Sequence, residues 1–161
     1  MWTDWSKMSL GSRIWGFTFE RAASDRILTE VLQEIRSFCD SWKSHQKPTV
    51  CSAQAFYNRF FLISVNEYSG SISGCAIDEM QKRIKSIFDK HELPLANAGI
   101  VVWTDAFSNW HYTEWVKSSH EVRKMIAQEA VAVYSPLPSV LSEVHASWPL
   151  EAKKSPLFAW Q

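Results

Sequence analysis

Residues 51–66, CSAQAFYNRFFLISVN, decide the fold, because two apolar segments flank a short polar connection. Segments 51–57 and 60–66 have the residue types and the alternation of β-strands. The intervening Asn58-Arg59 pair is short enough to join them as an antiparallel hairpin. We expect Phe61, Ile63 and Val65 to form the buried row of the second strand, since residues two apart share one face.

A strand and a helix precede the hairpin. Residues 13–19 place Trp15, Phe17 and Phe19 on one face, which predicts a strand whose aromatic face meets a helix. Ser24 can cap the next segment, where apolar residues recur at helical spacing until Pro48. The sequence therefore predicts a long amphipathic helix before the hairpin.

A second helix and another strand follow the hairpin. Residues 99–103, GIVVW, are typical of a buried strand. The order strand, helix, strand, strand, helix, strand predicts an α+β fold of the ferredoxin-like βαββαβ type, with one antiparallel sheet and both helices on one face. The second helix, which should end near Pro94, is predicted from apolar residues at helical spacing: Ile77, Met80, Ile84, Ile87 and Phe88.

Beyond Asp105 the apolar pattern is less regular. Residues 109–112 and 131–134 are strand-like, and residues 113–128 have a helical pattern. From Pro136 onward, prolines and aromatic residues predict a short helix and coil that wrap over the core. We therefore predict a single domain, with an α+β core at 1–105 and a C-terminal helical and coil extension at 106–161 packed on it.

Composition argues against several classes of protein. Almost half of the 161 residues are hydrophobic, and 17 basic residues balance 17 acidic ones. Balanced charge gives no overall attraction to nucleic acid, and no apolar run is long enough to span a bilayer. The first residues also lack the pattern of a secretory signal peptide. We therefore expect a cytoplasmic protein with neither nucleic-acid binding nor membrane insertion.

Cys75 is the candidate catalytic residue, because residues 70–78, GSISGCAID, place it where a strand gives way to a helix. A helix N-terminus stabilises a thiolate, although Asp78 and Glu79, expected in the first turn, would oppose this effect. Any of the five histidines could supply the base of a thiol-dependent enzyme. We expect Cys75 to be a small buried packing residue, and a reactive thiol is the alternative.

Spacing argues against other specific chemistries. Cys39, Cys51 and Cys75 lack the close spacing of zinc ribbons or redox dithiols, so we predict three free thiols. Ser73 and Gly74 could hold an anion through backbone N–H groups, but the chain has no lysine-containing phosphate loop. No compact motif of histidines and carboxylates is present, and we predict no metal and no cofactor.

Aromatic residues supply a second candidate site. Trp103, Trp110 and Trp115 lie within thirteen residues around a predicted strand end. Exposed rings there could stack on sugars, bases or a proline-rich peptide, and core packing is the alternative. Nearby polar residues, including Asp105 and His111, are assigned no role, because polar residues of loops are usually solvated.

Short segments spread over most of the chain resemble a family of short bacterial proteins that often carry the label "ABC transporter ATPase". These segments are residues 12–15 (SRIW), 57–60 (YNRF), 73–78 (SGCAID) and Trp148 before Pro149. The resemblance implies an ATPase-related role through that label. It also implies that four residues belong together: Asn58, Arg59, Cys75 and Asp78.

These patterns support two functional hypotheses. The first is a non-enzymatic binding or accessory protein, whose tryptophan-rich flank recognises a protein or a small molecule. The second is a thiol-dependent enzyme or redox-responsive protein built on Cys75. The candidate ligand-binding residues are Ser73, Gly74, Cys75, Asp78, Asn58, Arg59, Trp103, Trp110 and Trp115.

Overall fold

The computed structural model describes residues 1–66 and 72–159. Gly70 and Ser71 of the predicted turn, and Trp160 of the aromatic tail, lie outside the described residues. The chain forms two compact units. The first unit is Met1–Ala96 with Pro138–Ser142, and the second is Asn97–Leu137 with Glu143–Gln161.

The first unit contains an antiparallel sheet with the strand order β1-β5-β4 and a two-stranded β2-β3 ribbon. Both predicted strands of the central hairpin are confirmed, and Phe61 pairs with Phe17 on one side and with Ala55 on the other. The elements are β1 (Arg13–Thr18), α1 (Asp25–Ser41), β2 (Lys43–Ser44), β3 (Lys47–Pro48), β4 (Val50–Phe56), β5 (Phe60–Asn66) and α2 (Gly74–Lys90).

Aromatic rings form the centre of this unit's core. The Phe88 ring of α2 meets the rings of Phe17, Phe19 and Phe61 edge to face, at centroid distances of 5.3, 5.1 and 5.5 Å. Edge-to-face contacts of this kind add to the stabilisation from burial alone. The predicted meeting of an aromatic strand face with a helix is therefore confirmed, and the predicted row of Phe61, Ile63 and Val65 is buried.

Both edges of the first sheet are covered by other parts of the chain. Trp2 forms a parallel bridge with Cys51 of β4, and the backbone N–H of Thr3 donates to the Cys51 carbonyl at 3.0 Å. On the opposite edge, the N–H of Ile14 in β1 donates to the Ser139 carbonyl at 2.7 Å. Covered edges protect a sheet from pairing with strands of other molecules.

The second unit contains a four-stranded antiparallel sheet with the order β7-β6-β8-β9. Its buried residues include Val101 and Trp103 of β6 and Ile126 of the following helix. The elements are β6 (Ile100–Asp105), β7 (Trp110–Glu114), α3 (His120–Glu129), β8 (Ala130–Val133), α4 (Leu141–Ala146), which begins in the first unit, and β9 (Leu150–Glu151).

The α+β class is confirmed, but the ferredoxin-like topology is not. Among the described residues, β6 pairs with β7 and β8 and with no strand of the first sheet. The ferredoxin-like sheet does not form because residues 106–109 turn the chain back, so that β6 pairs with the next strand, β7. Residues 113 and 114 belong to β7, so the helix predicted from 113 begins only at His120, after the Ser119 cap. The strand-like segment 131–134 corresponds to β8, which lies inside the sheet between β6 and β9.

Two of the three cysteines form a disulfide, which corrects the prediction of three free thiols. Cys39 of α1 is bonded to Cys51 of β4, with the two Cα atoms 6.1 Å apart. Both side chains are buried where α1 packs against β4. The twelve-residue separation gave no sign of this pairing, because the β2-β3 ribbon folds back between the two positions. Cys75 is the free cysteine.

Candidate functional site

The first turn of α2 carries the predicted cysteine. Ser73 is the N-cap, and its Oγ accepts a hydrogen bond from the Ala76 backbone N–H at 3.2 Å. Its own backbone N–H donates to Ser44 Oγ at 3.1 Å, which connects the start of α2 to the β2-β3 ribbon. Gly74 begins the helix and is exposed. Ser73 and Gly74 therefore have evident structural roles as cap and first residue.

Cys75 itself is exposed, which corrects the expectation of a buried packing residue. The first turn of α2 contains no acidic residue, because Asp78 and Glu79 come later in the helix. Within the part of the chain that the structure describes, no histidine is hydrogen-bonded to Cys75. The position therefore offers an accessible thiol without the base that a cysteine hydrolase uses.

Asn58 connects the central hairpin to the start of α1, and Arg59 connects it to the residue that follows β1. Asn58 has a φ of 56° in the turn, and its Nδ2 donates to the Ala23 carbonyl at 3.1 Å and to Asp25 Oδ1 at 2.6 Å. The Arg59 carbonyl accepts from the Phe19 N–H at 2.8 Å. Among the described residues these contacts do not include Cys75.

The three candidate tryptophans all pack within the second unit. Trp103 is only 3% exposed and stacks on the His111 imidazole, with ring centroids 4.0 Å apart and an interplanar angle of 16°. Its Nε1–H donates to Thr113 Oγ1 at 3.1 Å. Trp103 is therefore a core residue, with its indole N–H satisfied as burial requires.

The other two tryptophans are half-buried. The Trp110 ring is tilted against Tyr134, with centroids 4.6 Å apart. Trp115 meets Phe158 edge to face at 5.6 Å and has the Arg123 guanidinium 5.2 Å from its ring centroid. These contacts occupy part of each ring and leave the remainder at the surface.

A hydrogen-bonded cluster is centred on Asp105 at the end of β6. The sequence pattern had given no role to Asp105 or to His111. Asp105 Oδ1 accepts from the backbone N–H groups of Phe107 and Asn109, at 2.9 and 3.0 Å. Oδ2 lies 3.1 Å from Asn109 Nδ2 and 2.9 Å from His111 Nε2. One carboxylate therefore binds the backbone and one side chain of the β6–β7 turn, which is the segment 106–109, and also His111 of β7.

Hydrogen bonding keeps the Asp105 carboxylate ionised. The bond from His111, followed by those from Asn109 and Phe107, lowers the Asp105 pKa from 3.8 to about 2. An ionised carboxylate only accepts hydrogen bonds, so His111 Nε2 is the donor in this pair. Stacking on Trp103 fixes the plane of the same imidazole. His111 is thus oriented by two neighbours that are themselves held in β6.

The turn presents a phenylalanine to solvent. Phe107 is 87% exposed, and the flanking residues Ala106, Ser108 and Asn109 are exposed as well. The Asp105 carbonyl accepts from the Ser108 N–H at 3.1 Å, and the Asp105 N–H donates to the Asn109 carbonyl at 3.2 Å. The backbone around Phe107 is therefore bonded on both sides, whereas its ring has little cover.

A sequence signal for this cluster exists. Asp at a strand end commonly accepts hydrogen bonds from backbone N–H groups two and more residues later, as Asp105 does from Phe107 and Asn109. His111 was not identifiable in this way. Its contact with Asp105 depends on the register of β7, which pairs His111 with Trp103.

A second polar cluster joins α1 to α2 beside a cleft of about 440 Å³. Glu34 Oε1 lies 2.8 Å from Lys90 Nζ and 2.6 Å from His91 Nε2. Lys90 and His91 lower the Glu34 pKa below its ordinary value. Because these charges pair with one another between two packed helices, we interpret the cluster as structural.

Two further findings concern ligands and membranes. In residues 1–66 and 72–159, no group of three or more histidine, cysteine, aspartate or glutamate side chains is placed to hold a metal ion. No helix in the same ranges is both long and apolar enough to cross a membrane.

Comparison of the chain with protein-family models, with curated proteins and with solved structures finds no match.

We expect Asp105→Asn to remove a pH-dependent part of the stability. A depressed native pKa stabilises the fold above the unfolded pKa, and the contribution disappears as the pH falls from about 5 toward 2. The difference in free energy of unfolding between wild type and variant, measured with urea, should be largest at neutral pH and shrink across that range. His111→Ala should show part of the same dependence, because its bond is the largest cause of the shift. A gap that is independent of pH for Asp105→Asn would contradict the assignment.

Proposed function

We propose that the protein is a non-enzymatic binding or accessory protein, and that its contact site is the β6–β7 turn. The observation that carries this proposal is the 87% exposure of Phe107 on a turn whose backbone is fixed by Asp105. The sequence suggested a contact surface of tryptophans, whereas the ring that we propose to contact the partner is Phe107. Trp103 is buried and stacks on His111, which donates a hydrogen bond to Asp105.

The β6–β7 turn is preorganised for binding. A large exposed ring gains free energy when another surface removes it from water, by about 25 cal/mol for each Å² buried. Loop ordering normally opposes binding, but the backbone of this turn is already bonded to Asp105. The ring can therefore enter an apolar pocket without first requiring its loop to order.

The chemistry of the turn fits a protein partner. Phe107 offers an apolar anchor, and the exposed Ser108 and Asn109 offer polar groups beside it. An apolar centre with a polar rim is the usual composition of a protein contact surface. We therefore propose a partner with an apolar pocket of the size of one phenyl ring.

Photo-crosslinking in the cells that make the protein tests this proposal. A benzoyl-phenylalanine at position 107 should give a discrete protein adduct. The matched control places the same group at position 116, where Val116 is 80% exposed in the same unit but lies outside the turn. Adding Asp105→Ala should reduce the position-107 adduct by about threefold or more, because the loop would then have to order on binding. The proposal fails if positions 107 and 116 capture the same proteins, or if neither captures any.

A redox-responsive role for Cys75 is a second candidate, favoured by the exposure of its thiol in a helix first turn without acidic residues. Cys39 and Cys51 are bonded to each other and are not free to respond as thiols. The ATPase-related role implied by the resemblance would need a phosphate-binding lysine loop, and the sequence contains none.

Alkylation of the native protein with iodoacetamide tests the thiol proposal. We expect one labelled site, lost in Cys75→Ser, with a rate at neutral pH about threefold or more above that of a small free thiol. Peptide mapping should find Cys39 and Cys51 unlabelled until the protein is reduced. A rate equal to that of the free thiol would leave Cys75 as an ordinary surface residue and exclude the role.

A further inference from the structure

A cavity of about 230 Å³ lies within the second unit, separate from the β6–β7 turn. It is lined by residues 145–151 together with Lys154. This stretch runs from the end of α4 through β9 into a short 3-10 helix, Ala152–Lys154, so the chain curls around the space. The curve brings the Trp148 side chain and the charges of Glu151 and Lys154 to one cavity.

The walls of this cavity are held in place by contacts outside it. Trp148 Nε1–H donates to the Tyr134 carbonyl at 2.9 Å, and the two rings meet edge to face at 6.0 Å. The Trp148 backbone N–H donates to the Glu143 carbonyl at 2.9 Å. On the other side, β9 is paired with β8 through Leu150 and Glu151. The indole is therefore prevented from turning to fill the space, and the cavity is preformed.

An ion pair between Glu151 and Lys154 lines the cavity, and a second ammonium group, that of Lys153, contacts the same carboxylate. Glu151 lies 2.9 Å from Lys154 Nζ and 3.5 Å from Lys153 Nζ, so one carboxylate is shared by two ammonium groups. Lys154, followed by Lys153, lowers the Glu151 pKa, which keeps this carboxylate ionised at neutral pH. Lys154 is the ammonium that lines the cavity, and it remains largely exposed. An incoming anion can therefore reach it.

We propose that this cavity binds a small planar organic carboxylate, with the ligand ring against Trp148 and its carboxylate at Lys154. The volume of about 230 Å³ is below the roughly 300 Å³ at which typical ligand sites begin, so the cavity suits only a small ligand, such as a single aromatic ring with one acidic group. Trp148, Pro149 and Leu150 offer apolar contacts for the ring, and the exposed Lys154 ammonium offers a partner for the carboxylate. Because the ion pair is exposed to solvent, the affinity is expected in the millimolar range.

Nuclear magnetic resonance on the full ¹⁵N-labelled chain tests this site with benzoate as the probe. The Trp148 indole N–H resonance is assigned by its loss in Trp148→Phe. Benzoate should shift this resonance saturably at constant ionic strength. Benzamide, which keeps the ring without the charge, and acetate, which keeps the charge without the ring, should each bind about threefold or more weakly.

Lys154→Gln should weaken benzoate binding about threefold, whereas Lys117→Gln should leave it unchanged. Lys117 is the matched control, because it forms an equally short 2.9 Å pair with Glu114 in the same unit but does not line the cavity. The proposal is overturned if the Trp148 resonance does not shift saturably, or if benzamide or acetate equals benzoate. Equal weakening by the two lysine variants would also overturn it, since it would indicate general charge attraction.

Discussion

The candidate contact site depends on one carboxylate. Asp105 ends β6 and accepts four hydrogen bonds, from the backbone N–H groups of Phe107 and Asn109 and from the side chains of Asn109 and His111. A charged acceptor makes such bonds stronger than neutral ones. The hydrogen bond that Asp105 accepts from His111 Nε2–H fixes an imidazole that also stacks on Trp103. The turn, the first residues of β7 and the β6 core ring are thereby connected through a single side chain.

Buried and exposed aromatic residues have different roles in the second unit. Trp103 is part of the second unit's core and supports His111. Phe107 has almost no contact with the protein and is free to contact another molecule. The abundance of tryptophan in the sequence therefore does not by itself locate a binding surface. The position of each ring relative to its sheet decides whether it packs or is presented.

Local patterns predicted the elements well and their assembly poorly. The central hairpin, α1 and α2 follow from alternation, helical spacing and the Ser24 cap, all of which act over a few residues. The partners of β6 could not be predicted in this way. A buried strand such as β6 pairs equally well with either sheet by residue type, and the turn at 106–109 selects β7.

The candidate sites show the same limit. Cys75 was identified from its position before a helix, but its exposure depends on packing that no local pattern reports. The Cys39–Cys51 disulfide requires α1 to lie on β4, and the Asp105–His111 contact requires the β6–β7 register. Each depends on strand register or helix packing, which the residue types of one segment do not specify, whereas a helix cap depends only on a few adjacent residues.

Amide hydrogen exchange tests the central claim, that Asp105 holds the turn in one conformation, most directly. If Asp105 holds the turn, the Phe107 and Asn109 N–H protons exchange about tenfold or more slowly than those of an unstructured loop. Asp105→Ala should also remove this protection, while amides within α3 keep theirs. Rapid exchange at both positions in the wild type, or unchanged protection in the variant, would contradict the account.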